Sequence, residues 1–206
     1  MAQVSEGSQT RLPVLFLSDV VVLPGMVVPI GLDESAQAAI DAARASSGGR
    51  LLVAPRLEDR YASYGVIASV EQVGRFSGGS PAALLKAERR GRIGTGVTGP
   101  GAALWVEAAI IEPPTTHDDE TLELARTYKA LVITLLQQRG AFQFVDSIQR
   151  ITDPSLLADT SGYAAHLSDA QKHQVLATLD VKERLELVVG WSREHLAELD
   201  VAETIR

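Results

Sequence analysis

The sequence contains no cysteine. Without thiols it forms no disulfide and no zinc–thiolate centre, and this usage fits a reducing compartment. Aromatic residues make up only 5% of the chain. Basic charge is also short, with 19 Lys+Arg against 26 Asp+Glu, a net charge of −7. The deficit is local: 10 against 11 through residue 113, and 9 against 15 beyond it. Nonspecific nucleic-acid binding needs a basic face, and the second half argues against one there. No apolar run is long and unbroken enough to span a bilayer, which takes about 20 residues. Residues 1–10 lack the basic and apolar regions of a signal peptide and read as a flexible polar arm, so the expected location is cytoplasmic.

What is present begins with Leu12–Ile30, the most apolar stretch of the chain. Pro24-Gly25 in its middle is the preferred central pair of a type II turn, because proline presets φ and glycine accepts the positive φ that follows. Pro24, Gly25 and Pro29 rule out a helix. β-branched residues on both sides predict two buried strands joined as a hairpin, with an exposed tip near Met26.

Further on, Asp33 is placed to cap a helix over Glu34–Ala45 that Gly48-Gly49 ends. Strands are predicted at Arg50–Ala54 and Gly65–Val73. A turn at Ser77–Pro81 then leads to a return strand over Ala83–Glu88, and a last strand spans Leu104–Ile111. About six strands and one helix thus precede residue 113, the pattern of a small β-barrel or sandwich.

Glu112-Pro113-Pro114-Thr115-Thr116 marks a boundary, with residues 114–117 as linker. Beyond it the hydrophobic period changes from 2 to 3.6, and only three of the 17 glycines remain. Asp118-Asp119-Glu120 starts a helix whose face carries Leu124, Tyr128, Leu131, Val132 and Leu135. A shorter helix is expected over Phe142–Ile151. Asp153-Pro154, Ser168 with Gln171, and Asp180 with Glu183 mark three further starts. The last helix runs amphipathic to Arg206 without a stop signal, and the expectation is that the natural protein continues. The overall class is α+β: a β-rich domain over 11–113, then a helical bundle over 118–206.

The search for chemistry returns mostly negatives. Gly94-Thr95-Gly96-Val97-Thr98-Gly99 matches the dinucleotide fingerprint in letters, but Pro100-Gly101 and a strand follow where a helix N-terminus is required, so it reads as a flexible turn. There is no phosphate loop, no nucleophile elbow and no His-Glu-x-x-His. His166, Asp169 and His173 have ligand-like spacing, but Ser168 caps a helix between them, so they read as surface residues. Trp105 and Trp191 read as packing residues. No catalytic, cofactor-binding or metal-binding residue is assigned. Lys86, Arg89, Arg90 and Arg92 form the one basic cluster, read as a charged strand edge or, in the alternative, as a nucleic-acid footprint.

Three blocks carry a family resemblance. Leu12–Leu15, then Asp19–Met26 and on to Pro29, resembles the opening signature of the Lon protease N-terminal domain family. Ile151–Asp159 resembles its first helical signature, and Gln171–Leu185 its second. Departures are modest: Phe16-Leu17-Ser18 stands where Pro-Leu-Arg is commoner, and Lys86–Arg92 follows the usual strand loosely. The resemblance covers about residues 11–206 and implies a PUA-like β domain followed by a helical bundle. It also implies the N-terminal, substrate-recognising and assembly-supporting region of a hexameric ATP-dependent serine protease of protein quality control. The ATP, magnesium and peptidase chemistry would lie elsewhere in the full chain, leaving this fragment without enzymatic activity. Unfolded or degron-bearing proteins are the implied partners. Candidate contacts are Met26 at the hairpin rim and Phe76 and Pro81 at the following turn. A PUA-like nucleic-acid-binding module and a stand-alone substrate or degron adaptor are the competing readings.

Overall fold

The computed structural model describes residues 5–205. The chain divides into two compact units, one over Ser5–Glu112 and one from Pro113 onward.

The first unit consists of β1 (Ser5–Leu17), β2 (Val27–Gly31), α1 (Glu34–Ser46), β3 (Arg50–Pro55), β4 (Tyr64–Arg75), β5 (Pro81–Val97) and β6 (Leu104–Glu112). The strand order is β2-β5-β4-β3-β1-β6, and β5 also pairs with β6, so the hydrogen-bonding path closes on itself and β2 hangs on its outside edge. β1 and β3 are parallel; the other pairs are antiparallel. Leu12, Val14, Leu52, Ile67, Val106 and Ala108 meet in one buried cluster. Each large apolar side chain so buried contributes roughly 1.5–3 kcal/mol. α1 packs against β1 and β3 through Ala36, Ala39, Ile40 and Ala43. Its start is fixed where the sequence places it, with the Ala36 N–H donating to Asp33 Oδ1 at 2.8 Å.

Three expectations are corrected here. Residues 5–10 are not a flexible arm: they extend β1, with Gln9 and Thr10 opposite Ala109 and Ala108 of β6. Residues 1–4 lie outside the described residues. The opening run is not a hairpin. Its turn does form, with the Met26 N–H donating to Leu23 O at 3.2 Å and Gly25 at φ 90°. However, Ala87 of β5 accepts from the Gly25 N–H at 2.9 Å and donates to Met26 O at 2.8 Å. A strand distant in sequence thus captures the turn, and β2 pairs with β5 instead of β1. Val21, Val22 and Leu23 are buried but join no strand.

The glycine-rich stretch is the third correction. β5 continues through it to Val97, with Gly96 opposite Val106. Gly99 is required by contact and not by flexibility, because a Cβ there would lie 2.4 Å from the Trp105 ring. The Trp105 Nε1–H donates to Pro100 O at 3.0 Å, so this tryptophan is a packing residue whose polar edge is satisfied.

The second unit contains α2 (Asp119–Gln138), a 3₁₀ turn (Phe142–Phe144), α3 (Val145–Gln149), α4 (Pro154–Asp159), another 3₁₀ turn (Thr160–Tyr163), α5 (Asp169–Ala177) and α6 (Val181–Ile205). The predicted helix over Phe142–Ile151 is therefore a 3₁₀ turn and a five-residue helix. The caps form as the sequence indicates. Asp118 accepts from the Thr121 N–H at 2.8 Å, Asp153 from Ser155 at 3.1 Å, and Asp180 from Glu183 at 3.0 Å. The Thr121 hydrogen bonds hold the Asp118 carboxyl below its usual range. Ser168 and Gln171 make a complete reciprocal capping box. Tyr128, Leu135, Leu157, Val175, Leu185 and Val188 are buried, where α2 and α4 pack against α6.

Candidate functional site

Along β2 exposure alternates strictly: Val27, Pro29 and Gly31 face solvent, while Val28 and Ile30 face the core. Continuing that alternation buries Met26, which is 3% exposed, with its sulfur accepting from the Leu23 N–H at 3.2 Å. Met26 is thus a core residue and not an exposed tip. The sequence could not mark the phase, because Val27, Val28, Pro29 and Ile30 are all apolar. The residue that reaches solvent is its neighbour Val27, at 43%.

Phe76 and Pro81 flank the β4–β5 turn. The Phe76 N–H donates to Ser80 O at 2.9 Å, the Gly79 N–H to Phe76 O at 2.8 Å, and Arg75 Nη1 to Gly79 O at 2.7 Å. Gly79 has φ 89°, a conformation that glycine adopts without strain. Inside this braced turn Phe76 remains 41% exposed. Its ring edge lies 3.9 Å from where a Cβ on Gly31 would be, so the phenyl group covers the end of β2. Pro81 is exposed, and its carbonyl accepts from the Leu32 N–H at 3.0 Å. The structure brings Val27, Pro29, half-buried Leu84 (opposite Pro29) and Phe76 onto one face. Val27 and Pro29 were not singled out from sequence, because their exposure depends on the phase of β2.

The basic cluster is dispersed. β5 is no edge: it pairs with β2, β4 and β6. Arg90 is 4% exposed, Arg89 is paired with Glu112 at 2.7 Å, and the Arg92 guanidinium lies 5.8 Å from the centre of the Tyr64 ring. Exposed Lys86 lies directly opposite Val27, on the same side of the sheet, and adds one positive charge at that end of the apolar face. Lys86, Arg89, Arg90 and Arg92 therefore present no continuous basic strip.

The helical unit holds a constellation the sequence did not announce. Arg184 and Asp159 are 2% and 1% exposed and paired at 2.9 Å. Arg184 Nη2 also donates to Ser155 Oγ at 3.1 Å and to Leu179 O at 3.3 Å. These residues come from the two helical signature blocks, so the signatures encode a buried clamp between α4 and α6. Nearby Tyr128 has its phenol pushed far above the ordinary range by burial. The histidines are less superficial than expected. The His117 ring is 8% exposed, 3.9 Å from Asp153, and the His166 ring stacks on His195 with centroids 4.4 Å apart and planes within 3°.

Among the described residues no group of three or more His, Cys, Asp or Glu is placed to hold a metal ion. No helix there is long and apolar enough to cross a membrane.

Comparison with known proteins places this arrangement. Residues 11–191 match the family model of the ATP-dependent protease La (LON) substrate-binding domain. The Lon protease of Mycolicibacterium smegmatis is 56% identical over 94% of this chain, and that of Escherichia coli (strain K12) is 30% identical over 95%. The chain spans about a quarter of the length of such curated relatives. The solved N-terminal domain of Mycobacterium avium complex Lon protease superposes with a TM-score of 0.85 at 55% identity, covering 90% of this chain and all of that one. A Lon N-terminal domain protein from Xanthomonas campestris, at 22% identity and a TM-score of 0.63, shares the fold. With most of both units and all three signature blocks inside residues 11–191, the chain belongs to the Lon protease substrate-binding domain family.

Proposed function

We propose that this chain is the substrate-engaging N-terminal region of a longer ATP-dependent serine protease. In this reading it binds unfolded or degron-bearing proteins through the face formed by Val27, Pro29, Leu84 and Phe76. The observation that carries it is the exposure of Val27 and Phe76 on a braced sheet end in a family described by substrate binding. Unfolded chains differ from folded ones in showing apolar side chains, and a small apolar patch recognises that difference. One such patch binds weakly. Assembly into a homohexamer through the full-length protein would raise the effective strength by avidity. ATP and magnesium binding and peptide cleavage would belong to the part of the relatives that this chain does not span, and the working compartment would be the cytoplasm. A nucleic-acid role has no comparable support, because the basic cluster is dispersed.

The test is binding of labelled casein to the chain and to Val27→Ser, Phe76→Ser and the double variant. The expected result is at least about a thirtyfold loss of affinity in the double variant, the size of a binding hot spot, with unchanged circular dichroism. Full retention of binding overturns the site. ATP-dependent casein cleavage by this polypeptide alone overturns the assignment of chemistry to other segments.

A further inference from the structure

Sheet edges and apolar faces capture extended chains in different ways. An edge adds a strand through backbone hydrogen bonds, whereas a face holds side chains. The β unit closes all its strands into mutual pairing except β2, which among the described residues pairs with β5 alone. This edge is five residues long. Met26 and Leu32 bond to Ala87 and Pro81 of β5. By the alternation of an antiparallel ladder, Val28 and Ile30 also turn their backbone groups to β5, while those of Val27, Pro29 and Gly31 point away. Pro29, at the centre, has no N–H to give. Val27 is already engaged in a further interaction. The side chains of Val27 and Pro29, by contrast, stand exposed on the face that Phe76 closes at one end.

We infer that substrates are held here by their apolar side chains, independently of their backbone hydrogen-bonding groups, and that Pro29 blocks strand addition at the open edge. The inference rests on the substrate-binding reading above and specifies its ligand class: segments rich in Leu, Phe and Val, including those that cannot form a strand. Pro29 thereby serves two ends. It contributes apolar surface, and it keeps the open edge from pairing with a second copy or trapping a substrate strand.

The test uses a fluorescein-labelled Leu- and Phe-rich peptide and its depsipeptide analogue, in which alternate amides are replaced by esters. The side chains are kept while backbone donors are removed. Both are titrated by anisotropy against the wild-type chain, Pro29→Ala, and the Val27→Ser/Phe76→Ser variant. The inference expects the two ligands to bind wild type with affinities within about threefold, less than the loss of a single hydrogen bond produces. It also expects Pro29→Ala, which restores an N–H to the edge, to favour the all-amide peptide. A loss of about tenfold or more for the depsipeptide on wild type, as two missing hydrogen bonds produce, establishes strand addition and overturns the inference while the binding site stands. Equal binding of the all-amide peptide to wild type and to Val27→Ser/Phe76→Ser overturns the site itself.

Discussion

The two units bury different things. Among the described residues the β unit buries one charged side chain, Arg90, within an otherwise apolar interior. The helical unit buries Thr121, Ser155, Asp159, Ser161, Arg184 and Ser192. The reason is geometric. The closed pairing of β1, β3, β4, β5 and β6 satisfies most of the β unit's backbone internally, so its core is largely hydrocarbon. The helical unit joins short elements, α4 at six residues and α5 at nine, whose ends leave carbonyls without helical partners. A buried guanidinium bound to Asp159, Ser155 and Leu179 O ties those ends to α6. Close packing therefore specifies one unit, and a polar clamp the other.

The strongest way to break this comparison is Asp159→Ala, which leaves the Arg184 charge buried without its carboxylate. Removing one partner of a buried pair costs about 3–5 kcal/mol. Urea unfolding followed by residue-resolved NMR is expected to show the helical unit destabilised by that amount. Replacing both partners, as Asp159→Leu with Arg184→Met, is expected to recover most of it, and an equal loss in the double variant would show that the pair itself, and not the stranded charge, carries the stability.

In the β unit the corresponding weak point is steric. A Cβ on Gly65 would lie 2.6 Å from Val53 O, so Gly65→Ala has to push β3 and β4 apart. Overpacking of this kind costs about 1–3 kcal/mol, and the measurement is a lowered thermal midpoint for the β unit. Ser168→Ala removes the side-chain acceptor of the α5 capping box and is expected to cost about 1 kcal/mol in urea unfolding.

The smallest effect separates the units by pH. His166 is held below its ordinary pKa by burial first, then by His195, Arg139 and Lys172. The folded state therefore binds its proton less readily than the unfolded chain. The contribution is fully present above the unfolded value of about 6.5 and is lost as pH falls through the lower folded value. His166→Gln is expected to flatten the decline in stability of the helical unit from pH 7.5 to 5, while the β unit responds alike in both proteins. An unchanged slope would discount the histidine stack as its source.

Much of the helical unit was legible because its signals are local. Asp118, Asp153, Ser168 and Asp180 cap helices within three residues of themselves, and they do so in any context that lets the helix form. The Arg184–Asp159 clamp was not legible, since nothing in Leu179–Leu185 tells that its arginine points inward to a residue 25 positions earlier. The candidate site was half legible. Phe76 and Pro81 stand beside a turn that Gly78-Gly79 announces, whereas Met26 was misread because four neighbouring apolar residues hide the phase of a strand.

By itself the sequence determined the two-part organisation, the turn at Pro24-Gly25, the helix caps and, through its three signature blocks, the family. Each depends on residues close together or on a pattern carried along the chain. Only the tertiary structure decided that Leu12–Ile30 divides between β1 and β2, which do not pair with each other, that Met26 turns inward and Val27 outward, and that Pro29 occupies the centre of the open edge. Those outcomes follow from Ala87 capturing the turn. A hydrogen bond between residues some sixty positions apart depends on the whole sheet closing, which no local stretch encodes.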